Sequence, residues 1–360
     1  MSRGRTRLSK LGLTAVTAVL ALAAAGTTSA PAAADMEKHF SGKTIELIVG
    51  AAAGGGADLD FRLLARHGGR HFPGKPRFIV KNITGAAQLT GLQTSVRAKP
   101  DGLTAGTLST RWAVRSMLGD DLGPFSIKTA RIVGSPLAVP RGDLICVDKK
   151  VADSWQAVVA MKTPLKLAGE PGGRSSLGPF LLEHLGAPIK NIGGYGGTSE
   201  ETAAFDRGEL TAVTCNEATV PRLFPEWLDK KRLVPLFWWD APPGAAYLDR
   251  MGAPGAKVPH VLELPGVTFP ADAKPVLDAA LKLFLLTRAV ILPPKTPDDI
   301  YAAWQQAYAA TITDPVFVED AAKGGLDTGL GKPEEFAAAI AGYQALSPSG
   351  KELFKKLMQE

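Results

Sequence analysis

From Lys43 to His67 the chain reads KTIELIVGAAAGGGADLDFRLLARH, and two hydrophobic rhythms meet in it. Ile45 to Val49 is a short apolar run rich in β-formers. Small residues follow from Ala51 to Ala57, and behind Asp58-Leu59-Asp60 the apolar positions Phe61, Leu63, Leu64 and Ala65 recur at helical spacing. The pattern predicts a buried strand, a tight turn and a capped helix. The first turn of such a helix carries unpaired N–H groups and the positive end of a dipole. Small residues let a ligand come close to that backbone, so the stretch is a natural seat for an anion.

The alternation continues downstream. Arg77–Asn82 and Leu103–Leu108 read as strands, with a short helix over Leu89–Ala98 and a turn at Pro100-Asp101-Gly102 between them. Strand, helix and strand at this spacing predict a parallel α/β lobe, whose ligands sit beyond the carboxyl ends of the strands. After an apolar segment at 131–138, strands are predicted at Leu144–Val147, Leu165–Ala168, Ile189–Ile192 and Leu210–Cys215. Helices fall between them at Ser154–Met161, at Leu177–Leu185 and in a stretch ending at Phe205. Two further small, polar turns, 169–176 and 193–200, precede helix starts in the same way as the first. The sequence thus divides into a leader at 1–34, a first lobe at 38–140 and 233–360, and a second lobe at 141–232. Within the returning part, Leu233–Trp239 is strand-like and 241–270 reads as an ordered loop region rich in Pro and Gly. A helix is predicted at Ala273–Phe284 and a strand at 285–292. Helices then start at Pro297, at Asp314-Pro315 and, last, at Pro333 through Leu346. No tandem repeat of fixed period is present.

Composition changes this picture mainly at the start of the chain. Arg3, Arg5, Arg7 and Lys10 precede an apolar, small-residue run from Leu11 to Gly26. Ala32-Ala33-Ala34 before Asp35 fits a cleavage site, with Ala30 as a second option. This predicts a secretory signal peptide. The alternative is a membrane anchor, but the run is short for a span and no cysteine follows it to carry a lipid. The formal charge is +6, of which the leader supplies four, so the rest carries 6 − 4 = +2. So small an excess argues against a nucleic-acid partner. The remaining length is too great for one small core and fits two lobes. Cys146 and Cys215 leave two readings open in an exported protein, a disulfide or two separate buried thiols.

The order of these turns resembles the periplasmic solute-binding proteins of tripartite tricarboxylate transporters, the TctC or Bug family. The residues that carry the resemblance span nearly the whole chain after the leader. They are Ile45–Val49, Ala53-Gly54-Gly55, Asp58 and Arg62-Leu63-Leu64-Ala65, then Asn82, Gly85, Gly91 and Pro100-Asp101-Gly102. Gly172-Gly173 with Ser175-Ser176, Tyr195 with Gly197, and Gly208 follow in the middle. Pro265-Gly266, Pro294, Thr296-Pro297, Asp314-Pro315 and Pro333-Glu334-Glu335-Phe336 complete the series. Each motif alone is weak, and the ordered series is what is specific. The resemblance implies a two-lobed type II periplasmic-binding fold with a hinge and an interlobe cleft. It implies capture of a small organic acid (a dicarboxylate, tricarboxylate or aromatic acid) and its delivery to integral-membrane transporter subunits. It implies that carboxylates are held largely by backbone, hydroxyl and water contacts, with no cofactor and no metal. By position, the ligand-binding residues would be Ala53, Gly54, Gly55 and Asp58, then Gly172, Gly173, Arg174, Ser175 and Ser176, and then Tyr195, Gly196 and Gly197. The chain departs from the family pattern at Ala51-Ala52 (usually Phe-Pro), Ala57 (usually Thr), Arg174 (usually small or hydroxylated), Gly196 (usually basic) and Thr211 (usually Asp). The first and third departures point to an unusual acid, aromatic or larger than a simple dicarboxylate.

Read as chemistry, Arg174 at a helix start beside two serines can clamp a carboxylate with parallel hydrogen bonds, or it can pair with Glu170. Ser175 and Ser176 can cap the following helix or donate to a ligand. Asp58 reads first as a helix cap and dipole complement. Tyr195 can lie along a ligand or pack in the cleft wall. Asp60 is expected on a solvated or interlobe face; Arg111 and Trp112 follow the third strand and could reach the cleft mouth, with the core or the surface as their expected place. The five histidines are scattered without zinc spacing, Gly54-Gly55-Gly56 lacks the Lys of a P-loop, and no G-x-S-x-G elbow occurs. An exported enzyme acting on carboxylate or amide substrates would need a nucleophile–base pair that no local motif supplies. A sensor feeding a receptor kinase is a third reading, and gene neighbourhood would separate it from a transporter component.

Overall fold

The computed structural model describes residues 30–136, 142–169, 173–195, 198–217, 220–284, 287–324, 326 and 328–359. Positions 1–29 of the expected leader lie outside these, as do Gly172, Gly196 and Gly197 and the side chain of Ser175. The strands are β1 (Thr44–Val49), β2 (Arg77–Asn82), β3 (Thr104–Leu108), β4 (Arg131–Gly134), β5 (Leu144–Asp148), β6 (Leu165–Ala168), β7 (Ile189–Ile192), β8 (Ala212–Cys215), β9 (Leu233–Trp238) and β10 (Ala289–Leu292).

Five of them form one sheet in the order β2-β1-β3-β10-β4. β2 and β3 run parallel to β1, and β10 runs antiparallel to both of its neighbours. Side chains alternate faces along a strand, and both faces here are buried. Val290 and Leu292 of β10 join a cluster with Ile45, Leu47, Phe61, Trp304 and Tyr308. Ala289 and Ile291 join a second cluster with Leu92, Leu108 and Trp112. That explains the near-continuous apolar runs of β1 and β10, since a sheet covered by helices on both sides has no polar face.

The second half is built on the antiparallel sheet β8-β5-β9 and the parallel pair β6-β7. Thr211 joins them: its N–H donates to Lys166 O at 2.9 Å and its Oγ1 accepts from Lys166 N–H at 2.8 Å. Leu233–Trp238, expected with the first lobe, hydrogen-bonds to β5, so this sheet extends beyond residue 232. Ile145 and Val147 point into the same apolar cluster as Leu108 and Trp112. That cluster is completed by the helices Ala273–Phe284, Pro333–Gln344 and Pro348–Gln359.

Two expectations need correction. The region 241–270 is not all loop: Ala245–Arg250 is helical and buries Tyr247 and Leu248, and the surrounding Pro and Gly had obscured that short apolar pair. The helix opened by Pro333 is not the last, because Pro348–Gln359 follows and buries Leu353, Phe354, Leu357 and Met358 at helical spacing. The open question at Cys146 and Cys215 resolves as a disulfide joining β5 to β8, with Cα atoms 6.0 Å apart. The strands are neighbours in register, Leu144 opposite Cys215 and Cys146 opposite Val213, which brings the two thiols within bonding reach.

Candidate functional site

The turn after β1 is organised by Asp58. Its carboxylate is 1 % exposed. It accepts from Gly54 N–H at 2.8 Å, from Asn82 Nδ2 at 2.9 Å and from Arg62 Nε at 2.8 Å. Asn82 Nδ2 also reaches Ala51 O at 3.0 Å. Burial alone would push the Asp58 carboxyl up, but the Arg62, Gly54 and Asn82 donors more than reverse it and hold it below the ordinary carboxylate range. Gly54 takes φ +81°, a conformation glycine adopts without strain. Ala53, Gly54, Gly55 and Asp58 are therefore brought together, with Asp58 as the brace of the turn and Gly55 as the N-cap of the helix Gly56–His67.

Above this turn lies a cavity of about 230 Å³ at the carboxyl ends of β1 and β3. Its wall includes Ala51, Gly56, Gln88, Thr107, Ser109 and Arg288. Two helices begin at it, Gly56–His67 and Thr110–Met117, the latter with Ser109 as N-cap. The Ser109 and Thr110 hydroxyls are buried and have no protein partner among the described residues. Ser109 makes no side-chain cap bond, so the N–H groups of that helix start are not answered by it. Thr107 Oγ1 accepts from Gly50 N–H at 3.2 Å.

The backbone on one side of the cavity is strained. Ala86, Ala87 and Gln88 all have positive φ, at 44°, 50° and 78°. Such a run costs about 1–3 kcal/mol per residue and persists only where the surroundings impose it. Here Trp112 Nε1 donates to Ala87 O at 2.8 Å, and Gly50 leaves room for Gln88, whose Cβ would stand 2.8 Å from a Cβ at position 50. Trp112 is thus a core residue with a structural bond to this segment.

Arg288 closes the cavity from β10. It also has positive φ, 58°, and its Nη1 donates to Asp60. Asp60, expected on a solvated or interlobe face, is instead 4 % exposed and ion-paired. The preceding Thr287 carbonyl accepts from Ser135 Oγ at 2.7 Å, which pins the turn. Neither Arg288 nor Ser109 was legible as a site residue: Arg288 stands 228 residues from Asp60. A Ser-Thr pair directly after a strand, the sign of a helix start, was the one available cue for Ser109.

The second set of expected residues lies after β6. Gly173 caps the short 3₁₀ turn Arg174–Ser176, which runs into the helix Leu177–His184. Arg174 Nε donates to Asp143 at 3.1 Å and Nη2 to Asp240 at 2.6 Å. The alternative partner, Glu170, lies outside the described residues. Asp143 also accepts from Asn216 at 3.0 Å, and its N–H donates to Asp240 at 2.7 Å. These acids stand at the start of β5 and just past β9, so Arg174 ties its turn to the two strands that enter and leave the second sheet. Two of the five guanidinium donors are committed this way. Ser176 is buried and provides no side-chain cap. Tyr195 is half-buried and packs against the cluster around Phe205 and Trp227.

A larger cavity, about 450 Å³, separates the helix Leu177–His184 and β7 from the helix Pro348–Gln359. On its wall Lys190 pairs with Glu183 at 2.6 Å, and Glu183 also accepts from Asn191. The smaller cavity is the better candidate, because it gathers two helix starts, the unpartnered Ser109 hydroxyl and a cation.

No family model matches the chain. A curated UPF0065 protein from Cupriavidus necator is 27% identical over 237 residues, 62% of this chain and 69% of that protein. Among solved structures, a TctC solute-binding protein from Polaromonas aligns over 88% of this chain and 99% of its own, with a TM-score of 0.60 and 19% identity. The periplasmic binding protein BugD aligns over 88% and 98%, with a TM-score of 0.55 and 18% identity. A malate-bound MatC from Rhodopseudomonas palustris aligns over 89% and 99%, with a TM-score of 0.53 and 16% identity. The chain has the two-lobed α/β fold of the TctC and Bug periplasmic solute-binding proteins.

Proposed function

We propose that this protein is an extracytoplasmic receptor for a small organic carboxylate. It takes the acid into a cleft between two lobes and passes it to the membrane subunits of a tripartite tricarboxylate-type transporter. The first lobe is built on the five-stranded sheet and the second on the sheets of β5–β9. The observation that carries this reading is the cavity at the ends of β1 and β3. There the N-termini of Gly56–His67 and Thr110–Met117 meet beside the hydroxyl of Ser109, which has no partner among the described residues. Helix starts and hydroxyl donors answer a negative charge. At about 230 Å³ the cavity is smaller than the ~300–1,000 Å³ of whole ligand sites, as one half of a two-sided site should be. Gly173, Ser175, Ser176 and Tyr195, with Gly172, Gly196 and Gly197, supply the facing half, and lobe closure completes it. The malate in MatC is in keeping with this chemistry.

The test is a thermal-shift and calorimetry screen of the purified protein lacking its leader. The panel is C4–C8 dicarboxylates, citrate, aromatic acids, amino acids and neutral sugars. A ligand of the native state raises the melting temperature. At least one acid should do so. A shift with sugars and with no acid overturns the reading.

A further inference from the structure

Arg288 lines the first-lobe cavity beside the start of the helix Gly56–His67. A Cβ built on Gly56 would fall 2.9 Å from Arg288 Cζ and nearer still to Nη2. The guanidinium therefore lies flat against the first residue of the helix Gly56–His67. A cation beside the positive end of a helix is an unfavourable pair, and only Nη1 is answered, by Asp60. Among the described residues, Nε and Nη2 have no protein acceptor. The side chain is 30% exposed and lines the cavity. Its backbone is held in a left-handed conformation that favours glycine, so the position of this side chain is imposed by its surroundings. An anion in the cavity beside both the guanidinium and the helix start would answer the two positive groups at once.

We propose that Arg288 is the charged receptor for one carboxylate of the ligand, held in place by Asp60. This rests on the carboxylate-receptor reading and narrows it. The first-lobe seat selects a fully ionised carboxylate over an amide or ester of the same shape, because a charge-assisted bidentate bond replaces backbone and water contacts.

The experiment uses calorimetry with succinate, malate, adipate and benzoate as probes, on the wild type and on Arg288→Gly, Arg288→Lys and Asp60→Asn. Glycine suits the local φ and removes the side chain without adding strain. Arg288→Gly should bind the probes that the wild type binds at least about 10- to 100-fold more weakly, since even one hydrogen bond to a charged group is in that range and the contact is bidentate. Its affinity should also depend less on salt. Arg288→Lys should retain part of the affinity and the salt dependence, and Asp60→Asn should lie between. Phenylglyoxal labelling read by mass spectrometry gives a second measurement on the wild type itself: the bound acid should protect Arg288. Unchanged affinity and salt dependence in Arg288→Gly, or labelling of Arg288 undiminished by a bound acid, overturns the assignment while leaving the receptor reading intact. A wild type that binds none of the four acids, nor any acid of the wider screen, overturns both.

Discussion

Removal of Arg174 tests whether its network is a brace. The side chain is 12% exposed, and its partners Asp143 and Asp240 are 3% and 4% exposed. Arg174→Ala would leave two neighbouring carboxylates buried without their shared cation. Breaking such a pair from one side costs about 3–5 kcal/mol. The lower end applies, because Asp143 keeps its bond from Asn216 and Asp240 keeps the N–H groups of Asp143 and Ala241. With about 2.1 cal/mol/K of unfolding entropy per residue over the 360 − 34 = 326 residues after the leader, a loss of about 3 kcal/mol lowers the melting temperature by about 4–5 °C. Circular dichroism melts of Arg174→Ala and of Arg174→Ala/Asp240→Ala would measure this, and the double variant should recover part of the loss by removing one of the two acids that lost Arg174. An unchanged melting temperature in the single variant would refute the brace. Calorimetry on the same protein separates brace from ligand contact: unchanged affinity for the best acid removes Arg174 from the ligand site.

Gly56→Ala places a methyl group where the Arg288 guanidinium lies; the flexible end of that side chain can move aside, so folding should survive while acid affinity falls, and calorimetry beside a thermal melt reads the two effects separately. Replacing Cys146 and Cys215 by serine opens a loop of 69 residues, which should cost about 4 kcal/mol by loop-closure entropy, measured by urea unfolding of the double variant. Acid sensitivity should follow the depressed carboxylates, of which three illustrate the cause. Asp314 is held down by the Val316 N–H and then His71, Asp320 by His67 and then Arg66, and Asp58 by donors that outweigh its burial. A depressed folded value means that the unfolded chain binds more protons, so this stability is present above the unfolded carboxylate pKa of about 4 and is lost as pH falls below it. Unfolding curves between pH 6 and 3 should show the loss, and Asp58→Asn or Asp314→Asn should flatten it.

Much of the fold was legible along the chain. The β1 turn and its helix, the parallel arrangement of β1 to β3, and the helix at Ala273–Phe284 follow from local hydrophobic period and turn chemistry. Asp58 lies in the first turn of the helix Gly56–His67, where the dipole-complement reading put it, but the N-cap is Gly55 and Asp58 instead braces Gly54 and Arg62, four residues away on either side. The helix at Ala245–Arg250 was missed because six residues among prolines and glycines carry too little period to register.

The sequence by itself determined which segments are strands, which turns are small enough to admit a ligand, and how the chain alternates between them. Those properties depend on residues a few positions apart, and the rules that govern them are local. Only the tertiary structure decided that Arg174 answers Asp143 and Asp240, that Asp60 is buried under Arg288, and that Ser109 opens onto the same cavity. Each of the ion pairs closes a loop of tens to hundreds of residues. Its geometry is set by how β10 and the strands of the second sheet return to their neighbours, and no periodicity in the sequence records where a returning chain will place a side chain.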